Sequence, residues 1–314
     1  MEPRHRRTHG SRLYQSRFRK LKDEEKNDEF IAVESRTFLQ SVWHDFIGNK
    51  RAVVGAIVLI IVVLLAIFGP PFCKYSYDEQ NMALRNASPS FDHWLGTDKM
   101  GRDIFVRILF GARISLAVGC LAAVINLIVG TIYGGIAGYV GGKVDMIMMR
   151  VVDIIYSVPS MLYIVLIMLI FGASVVSIML GISITCWIDM ARIVRQQVKS
   201  LKEQEFTMAA FVLGASSSRI LLKHLLINTM GQIIVTVTLM VPQAIFTEAW
   251  LSFLGVGISA PMASWGTLAQ DARELIMTYP MQTVYPMIAI CITIFSFNFV
   301  GEGLEKALDP KRKR

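Results

Sequence analysis

Charge, cysteine and phosphate-binding glycine motifs are scarce in this chain, and each shortage removes a class of function. Only 18% of its 314 residues are charged, against 54% hydrophobic, too little polar surface to clothe a water-soluble globule of this length. Cys73, Cys120, Cys186 and Cys291 stand singly in or beside apolar runs, with neither the density of a disulfide framework nor the spacing of a zinc site. No G-x-x-x-x-G-K-[ST] occurs, so the chain itself has no cradle for ATP phosphates. The five histidines, His5, His9, His44, His93 and His224, all lie outside the apolar runs. An intramembrane Ser-His hydrolase or a His-ligated metal enzyme is therefore unsupported. Met146, Met148 and Met149 are soft enough to bind a metal, but methionine in an apolar helix ordinarily serves packing. The net charge of +8 has no aromatic-interleaved basic module beside it, which removes nucleic acid as a partner.

What the sequence has instead is length without charge. Mean hydropathy is +0.49, and a bilayer core about 30 Å thick asks for about 20 helical residues. Six runs meet that need. The first lies between Arg51 and Lys74, and the second between Arg113 and Lys143. The interval 154–188 is too long for one crossing and breaks at "FGAS" (171–174) into the third and fourth; the fifth covers 226–254 and the sixth 284–300. With both tails inside, 25 of the 32 Lys and Arg residues fall on the inner side, so the positive-inside rule predicts cytoplasmic termini. The basic excess, including the closing "KRKR", then reflects topology and contact with anionic membrane lipid. The first run starts some fifty residues in, behind a polar tail, and reads as an uncleaved span. Just before it, Phe38, Val42, Trp43 and Phe46 recur at helical spacing and predict an interfacial helix.

One stretch, "EFTMAAFVLGASSSRILLKHLLIN" (205–228), is neither a span nor an ordinary polar loop. Phe206, Ala209, Ala210 and Leu213 at i, i+3, i+4 and i+7 predict a short helix with one apolar face. Gly214 supplies its C-terminal turn, and Ser216 to Ser218 can cap a second helix carrying Ile220, Leu221 and Lys223. Periodicity alone leaves open whether this is a docking element or an amphipathic linker on lipid.

Here the chain resembles a known family. Glu205, Ala209, Ala210, Gly214 and the following "AS…R…KH…N" are similar to the EAA loop of ABC importer permeases, in the oligopeptide, dipeptide and nickel branch. Two departures stand out: Met208-Ala209-Ala210 replaces the contiguous Glu-Ala-Ala, and Ile227 stands where a proline usually ends the motif. "HWLGTDKMGRDIFVRILFGARISL" (93–116) resembles the segment that introduces the permease core in the C-type subunit of that branch, and "TEAWLSFLGVGISAPMASWG" (247–266) also looks like it. In the former, Thr97 or Asp98 is the expected N-cap, with Ile104, Phe105, Ile108 and Leu109 forming an apolar stripe opposite Arg102, Asp103 and Arg107.

The resemblance implies an all-α integral membrane protein with the six-helix type I ABC importer permease fold, in a bacterial cell membrane. Residues 1–51 would be a basic tail with its interfacial helix, 52–72 the first transmembrane helix and 73–108 an extracytoplasmic loop. The permease core would cover 109–306, with a coupling loop at 203–228, and a basic tail would close the chain at 307–314. It implies as partners a second permease, two ABC ATPases that bind the ATP and Mg, and an extracytoplasmic binding protein. No cofactor or metal belongs to this chain, and no catalytic residue. Glu205, Ala209, Ala210, Leu213 and Gly214 would carry the coupling to the ATPases. The expected cargo is peptide; a nickel chelate or another small solute is the alternative within the family. A secondary transporter is less favoured, because the second, fourth and sixth spans lack ionisable residues near their middles.

Two further readings concern helix packing and the path of substrate. Gly130, Gly134, Gly138 and Gly142 form a small-xxx-small ridge for close helix approach. Pro242 frees a carbonyl in the fifth span, and Gln243 and Glu248 follow it, so Pro242, Gln243 and Glu248, with Ser157 and Pro159, are the candidate path residues. Glu248 is expected near the outer interface or facing a polar cavity, because a charge at membrane depth is costly. The uniformly aliphatic first span is expected outside the path.

Overall fold

The computed structural model describes residues 37–309, so the basic stretches at 1–36 and 310–314 lie outside the described residues. Contacts divide the chain into residues 1–41 and 42–314. Of the first unit, the described part opens helix α1 (Phe38–Gly48), the predicted interfacial helix, on which Trp43 is exposed. The second unit is the bundle.

Helix α2 (Lys50–Phe72) is the first span, begun by Asn49, whose side chain accepts from the amide of Ala52. Its buried residues are Ala52, Gly55 and Ala66, all small. That follows from how closely the last helix approaches: a Cβ on Gly55 would meet the carbonyl oxygen of Ser296 and the side chain of Phe299. The rest of the helix is apolar and largely uncovered by its own chain. Pro70 and Pro71 lie in its last turn, where their missing N–H groups leave the carbonyls of Ala66 and Ile67 without helical partners. Arg113 of the second span donates to both carbonyls.

The second span is one run from α3 (Ile104–Ile125) through a π-turn at Asn126–Gly130 into α4 (Thr131–Val140), 37 residues in all. At about 1.5 Å per residue this is about 55 Å, well beyond the bilayer core. The predicted third span is corrected. Helices α5 (Gly142–Ser157) and α6 (Ser160–Phe171) meet at a bend of 76° rather than forming one straight helix from 154. Pro159 causes it, lacking an N–H and pushing Val158 to an extended φ of -93° and ψ of 126°. Alone, α6 is about 18 Å long and too short to cross, so the third crossing is the bent pair together. The break at 171–174 is where it was expected, with Gly172 at φ 83°.

Helix α7 (Val175–Lys202) continues well past residue 188. Asp189 therefore lies midway along this 28-residue helix, which at about 42 Å is longer than the bilayer core. After the short helix α8 (Glu205–Val212), α9 (Ser217–Arg219), a π-type turn at Ile220–Leu225 and α10 (Leu226–Phe253) make one 37-residue run. With Ile227 in place of a proline, nothing interrupts the backbone at that point. Helices α11 (Trp265–Ala272) and α12 (Pro280–Leu308) complete the chain.

Three buried clusters hold the bundle together. One joins Leu116 and Ala123 of α3 to Val241 and Ile245 of α10 and Trp265 of α11. A second joins Ile164 of α6 to Ile178 and Ile182 of α7 and Leu251 of α10. The third, near the α8 end, gathers Met190, Val194 and Val198 around Ile220, Leu225 and Ile233. Each such fully buried aliphatic side chain is worth about 1.5–3 kcal/mol where water is displaced; against lipid, close packing matters more. The glycine ridge supplies it over three of its four members: a Cβ at Gly130, Gly134 or Gly138 would strike Met190, Ala191 or Arg195 of α7. Gly142 does not join them. It turns the chain with φ 56°, next to Gly141 at φ 72°, with open space around its Cβ position.

The connections sort to two ends. At one end Arg102 and Arg107 reach Asp271, Gln282 donates to the carbonyl of Thr97, and the amide of Ser259 donates to Ala173. The loops after the first, third and fifth spans therefore meet. At the far end of the α3–α4 run, Lys202 donates to the carbonyl of Tyr139, which brings the loops after the second and fourth spans together. Alternation of this kind is what six crossings require.

Candidate functional site

Helix α8 stands on the second of these ends, between α7 and α9. It is fixed by few contacts: Thr207 is buried and its hydroxyl donates to the carbonyl of Leu201 at 2.8 Å, while Ala210 rests on the cluster formed by Val198, Ile220 and Leu225. Its end is a Schellman turn. The amide of Ala215 donates to the carbonyl of Ala210 at 3.1 Å and that of Gly214 to Phe211 at 3.0 Å, with Gly214 at φ 79°. A side chain at 214 would meet no neighbour, so the turn needs glycine for its backbone conformation alone.

The expected single apolar face is corrected. Phe206, Met208, Phe211, Val212 and Leu213 all point away from the chain, the last three at 67%, 82% and 86% exposure. The helix is apolar nearly all round, and only Thr207 and Ala210 face inward. Glu205 and Ala209 are exposed beside them, and Glu205 opens the helix where a carboxylate favours the N-terminal dipole. Among the expected cap residues, Ser216 precedes α9 but makes no side-chain cap.

The path candidates scatter. Gln243 is exposed on α10, and Ser157 and Pro159 are exposed at the α5–α6 bend, whereas Pro242 and Glu248 are buried. Glu248 is fully enclosed by its own chain: Ser252 donates to Oε1 at 2.8 Å and Ser115 of α3 to Oε2 at 3.1 Å. Ser115 in turn accepts from the amide of Trp265 at 3.3 Å. The expected cavity-facing alternative is therefore corrected, while along the chain Glu248 stands five residues before the end of α10. Hydroxyls from two helices offset the cost of burial, and Glu248 ties α3, α10 and the start of α11 together.

At the opposite end, residues 93–107 build a closed ion-pair cap. Asp98 Oδ2 accepts from Arg102 Nε at 2.7 Å and from Arg107 Nη1 at 2.6 Å, and its Oδ1 accepts the amides of Met100 and Arg102. Asp271 of α11 receives both arginines from the other side at 3.2 Å. Burial pushes the Asp98 carboxyl up, but Arg107, the amide and charge of Arg102 and the amide of Met100 outweigh it and hold the group below the usual carboxylate range. The N-cap of α3 is Asp103, which accepts from the amide of Val106 at 2.9 Å while its other oxygen lies 2.7 Å from His93 Nδ1. Both sequence expectations for this segment are thus corrected: the cap is neither Thr97 nor Asp98, and Arg102, Asp103 and Arg107 are buried rather than on an outward polar face. Asp271 was missed because its partners lie more than 160 residues away.

Among the described residues no group of three or more His, Cys, Asp or Glu is placed to hold a metal. Comparison with known proteins agrees with the helical arrangement. Residues 130–314 match the family described as binding-protein-dependent transport system inner membrane component, and residues 37–89 match the N-terminal transmembrane domain of oligopeptide transport permease C. The oligopeptide transport system permease protein OppC of Bacillus subtilis (strain 168) is 50% identical over 278 residues, 87% of this chain and 91% of that one. The dipeptide transport system permease protein DppC of the same strain is 44% identical over 295 residues, 93% and 92% of the two chains. OppC of Haemophilus influenzae (strain ATCC 51907 / DSM 11121 / KW20 / Rd) is 41% identical over 285 residues, 90% and 92% of the two. In this family the membrane component does not hydrolyse ATP, which is the work of separate subunits. The chain belongs to the family of multi-pass inner membrane components of binding-protein-dependent transport systems.

Proposed function

We propose that this chain is one of two permease subunits of a peptide importer, that its termini are cytoplasmic, and that α8 is the element through which separate ATPases move it. The carrying observation is α8 itself: an eight-residue helix that, together with its C-cap Leu213, turns five large apolar side chains outward, held by Thr207 and Ala210 and stopped by the Gly214 turn. Exposed apolar surface of this kind on a polar end of the bundle calls for a protein groove. Peptide as cargo rests on what the relatives are named for. The partners are a companion permease, two ATPases carrying ATP and Mg, and an extracytoplasmic binding protein. Closure of the ATPases would displace α8, and α7 and α10, which flank it in the chain, would transmit the movement as rigid bodies.

Orientation is checked by thiol labelling in intact cells, with Cys73, Cys120, Cys186 and Cys291 replaced. Ser90→Cys and Met277→Cys should react with a membrane-impermeant reagent and Glu203→Cys should not; labelling at 203 from outside overturns the orientation. Function is checked by reconstituting the four-component complex in liposomes with binding protein. ATP-dependent accumulation of a small peptide supports the reading, and accumulation of a metal chelate in place of peptide overturns the choice of cargo.

A further inference from the structure

The fourth span carries a feature that the coupling loop does not use. On α7 and its C-cap, Thr185, Asp189, Arg192, Gln196, Lys199 and Glu203 follow one another at intervals of four, three, four, three and four residues. At about 100° per residue they share a sector of about 80°, a single polar stripe along the half of the helix nearer α8. Asp189, Gln196, Lys199 and Glu203 are exposed, and the stripe borders a groove of about 640 Å³ between α5 and α7. Its charges are mostly matched. Arg192 Nη2 lies 2.9 Å from Asp153 Oδ1 of α5, Lys199 lies 3.8 Å from Asp145, and Asp145 also holds Arg195.

Asp189 differs. Among the described residues it has neither an ion-pair nor a hydrogen-bond partner, and it is the charge deepest in the span, with the apolar Ile178 and Ile182 between it and the outer end. Counted from the residue-175 end of α7, Asp189 lies about 21 Å in, within the inner third of a core about 30 Å thick, and an exposed carboxylate at that depth cannot face hydrocarbon, because water and counter-charges are absent there. The face of α7 that bears it must meet an aqueous space or a cation.

We infer that the α7 stripe lines the inner half of the substrate path and that Asp189 is a specificity-determining residue that receives the α-ammonium group of the travelling peptide. This rests on the peptide reading above. The α-ammonium is the one cation that every unmodified peptide carries whatever its side chains, so a single unpaired carboxylate suits a path that takes varied sequences. A charge-assisted hydrogen bond from ammonium to carboxylate provides the recognition. Beyond Asp189 the stripe carries charges of both signs, Arg192 and Lys199 and then Glu203, and offers successive weak sites to both peptide termini rather than one trap.

The test compares uptake of tetra-alanine with that of N-acetyl-tetra-alanine by the complete complex with its binding protein in liposomes. The binding protein is the same throughout, so a changed ratio of kcat/KM between the two peptides arises in the membrane. The ratio is also independent of how much complex assembles. Asp189→Asn should lower the preference for the free peptide about tenfold, the loss of one charge-assisted contact, and Asp189→Glu should keep most of it. A companion measurement uses Asp189→Cys, which should react with a water-soluble thiol reagent and be shielded by tetra-alanine. An unchanged ratio, as when a basic residue of the companion permease neutralises Asp189, overturns the inference. So do equal losses for both peptides, or a thiol at 189 that stays inert in every nucleotide state. A wild-type complex that moves neither peptide would instead overturn the peptide reading itself.

Discussion

Arg113 Nη2 donates to the main-chain oxygen of Ile67 at 2.6 Å, and Nε of the same guanidinium donates to the oxygen of Ala66. Those oxygens are the two that Pro70 and Pro71 leave without helical donors. The pair of bonds lets the first span end in two prolines at membrane depth and fastens it to the second span. Arg113→Ala should lower the stability of the purified protein by about 1–3 kcal/mol, the cost of leaving such groups unpaired. Arg113→Lys should recover only part of this, since an ammonium lacks the planar fork that reaches two oxygens. Thermal unfolding in detergent measures both.

The Asp98 cap predicts a pH dependence at the end of the bundle opposite α8. The carboxyl is held below its unfolded value, so its contribution is complete above about pH 4 and is lost as pH falls through the lower, folded value. Removing the charge leaves the two buried guanidinium groups with Asp271 as their one carboxylate, and Asp98→Asn should lower stability by about 1–3 kcal/mol at neutral pH. Proteolysis of the 73–103 loop across pH 2–7 follows this: the wild type should become susceptible at the acid end, and the variant should be susceptible throughout.

The glycine ridge predicts a contrast between neighbours. Gly134→Ala places a methyl group against the backbone of Ala191 and should separate α4 from α7, lowering stability by about 1–3 kcal/mol, as overpacking does. Gly135→Ala meets only the ends of Leu221 and Leu226 at ordinary contact distance and should be neutral or slightly stabilising. Thermal unfolding of the two variants side by side checks the assignment of the ridge to α7.

Much of this fold is legible in the sequence because the bilayer sets a length and a polarity that the chain must meet. The charge-free runs between Arg51 and Lys74 and between Arg113 and Lys143 each locate a helix, and Gly172 and Gly214 locate turns. Composition misleads where a local element competes. Pro159 breaks the third crossing although its flanks are apolar, and the helical propensity of 189–202 carries the fourth span through charged residues that look like a loop. In α8 the apolar spacing names the helix but not its inner face, since large apolar residues surround it and the two residues that turn inward, Thr207 and Ala210, are small. Pairings across long separations, Asp271 with Arg102 or Ser115 with Glu248, leave no trace in a single sequence. Pro70 and Pro71 did leave one: two prolines ending a span require a donor from elsewhere.

The central claim is that α8 seats in an ATPase, and site-directed cross-linking tests it most directly. In a cysteine-free background, Phe211→Cys or Leu213→Cys is paired with single cysteines placed around the surface groove of the ATPase, and the assembled complex is oxidised with and without ATP. The account predicts an efficient cross-link from one or both positions, dependent on nucleotide. It also predicts that Gly214→Val, which forces a β-branched residue to φ near 79°, loses both the cross-link and transport while inserting normally. A complex that retains its ATPases and transports at the wild-type rate with a bulky adduct at 213, and shows no cross-link from either position, would contradict it.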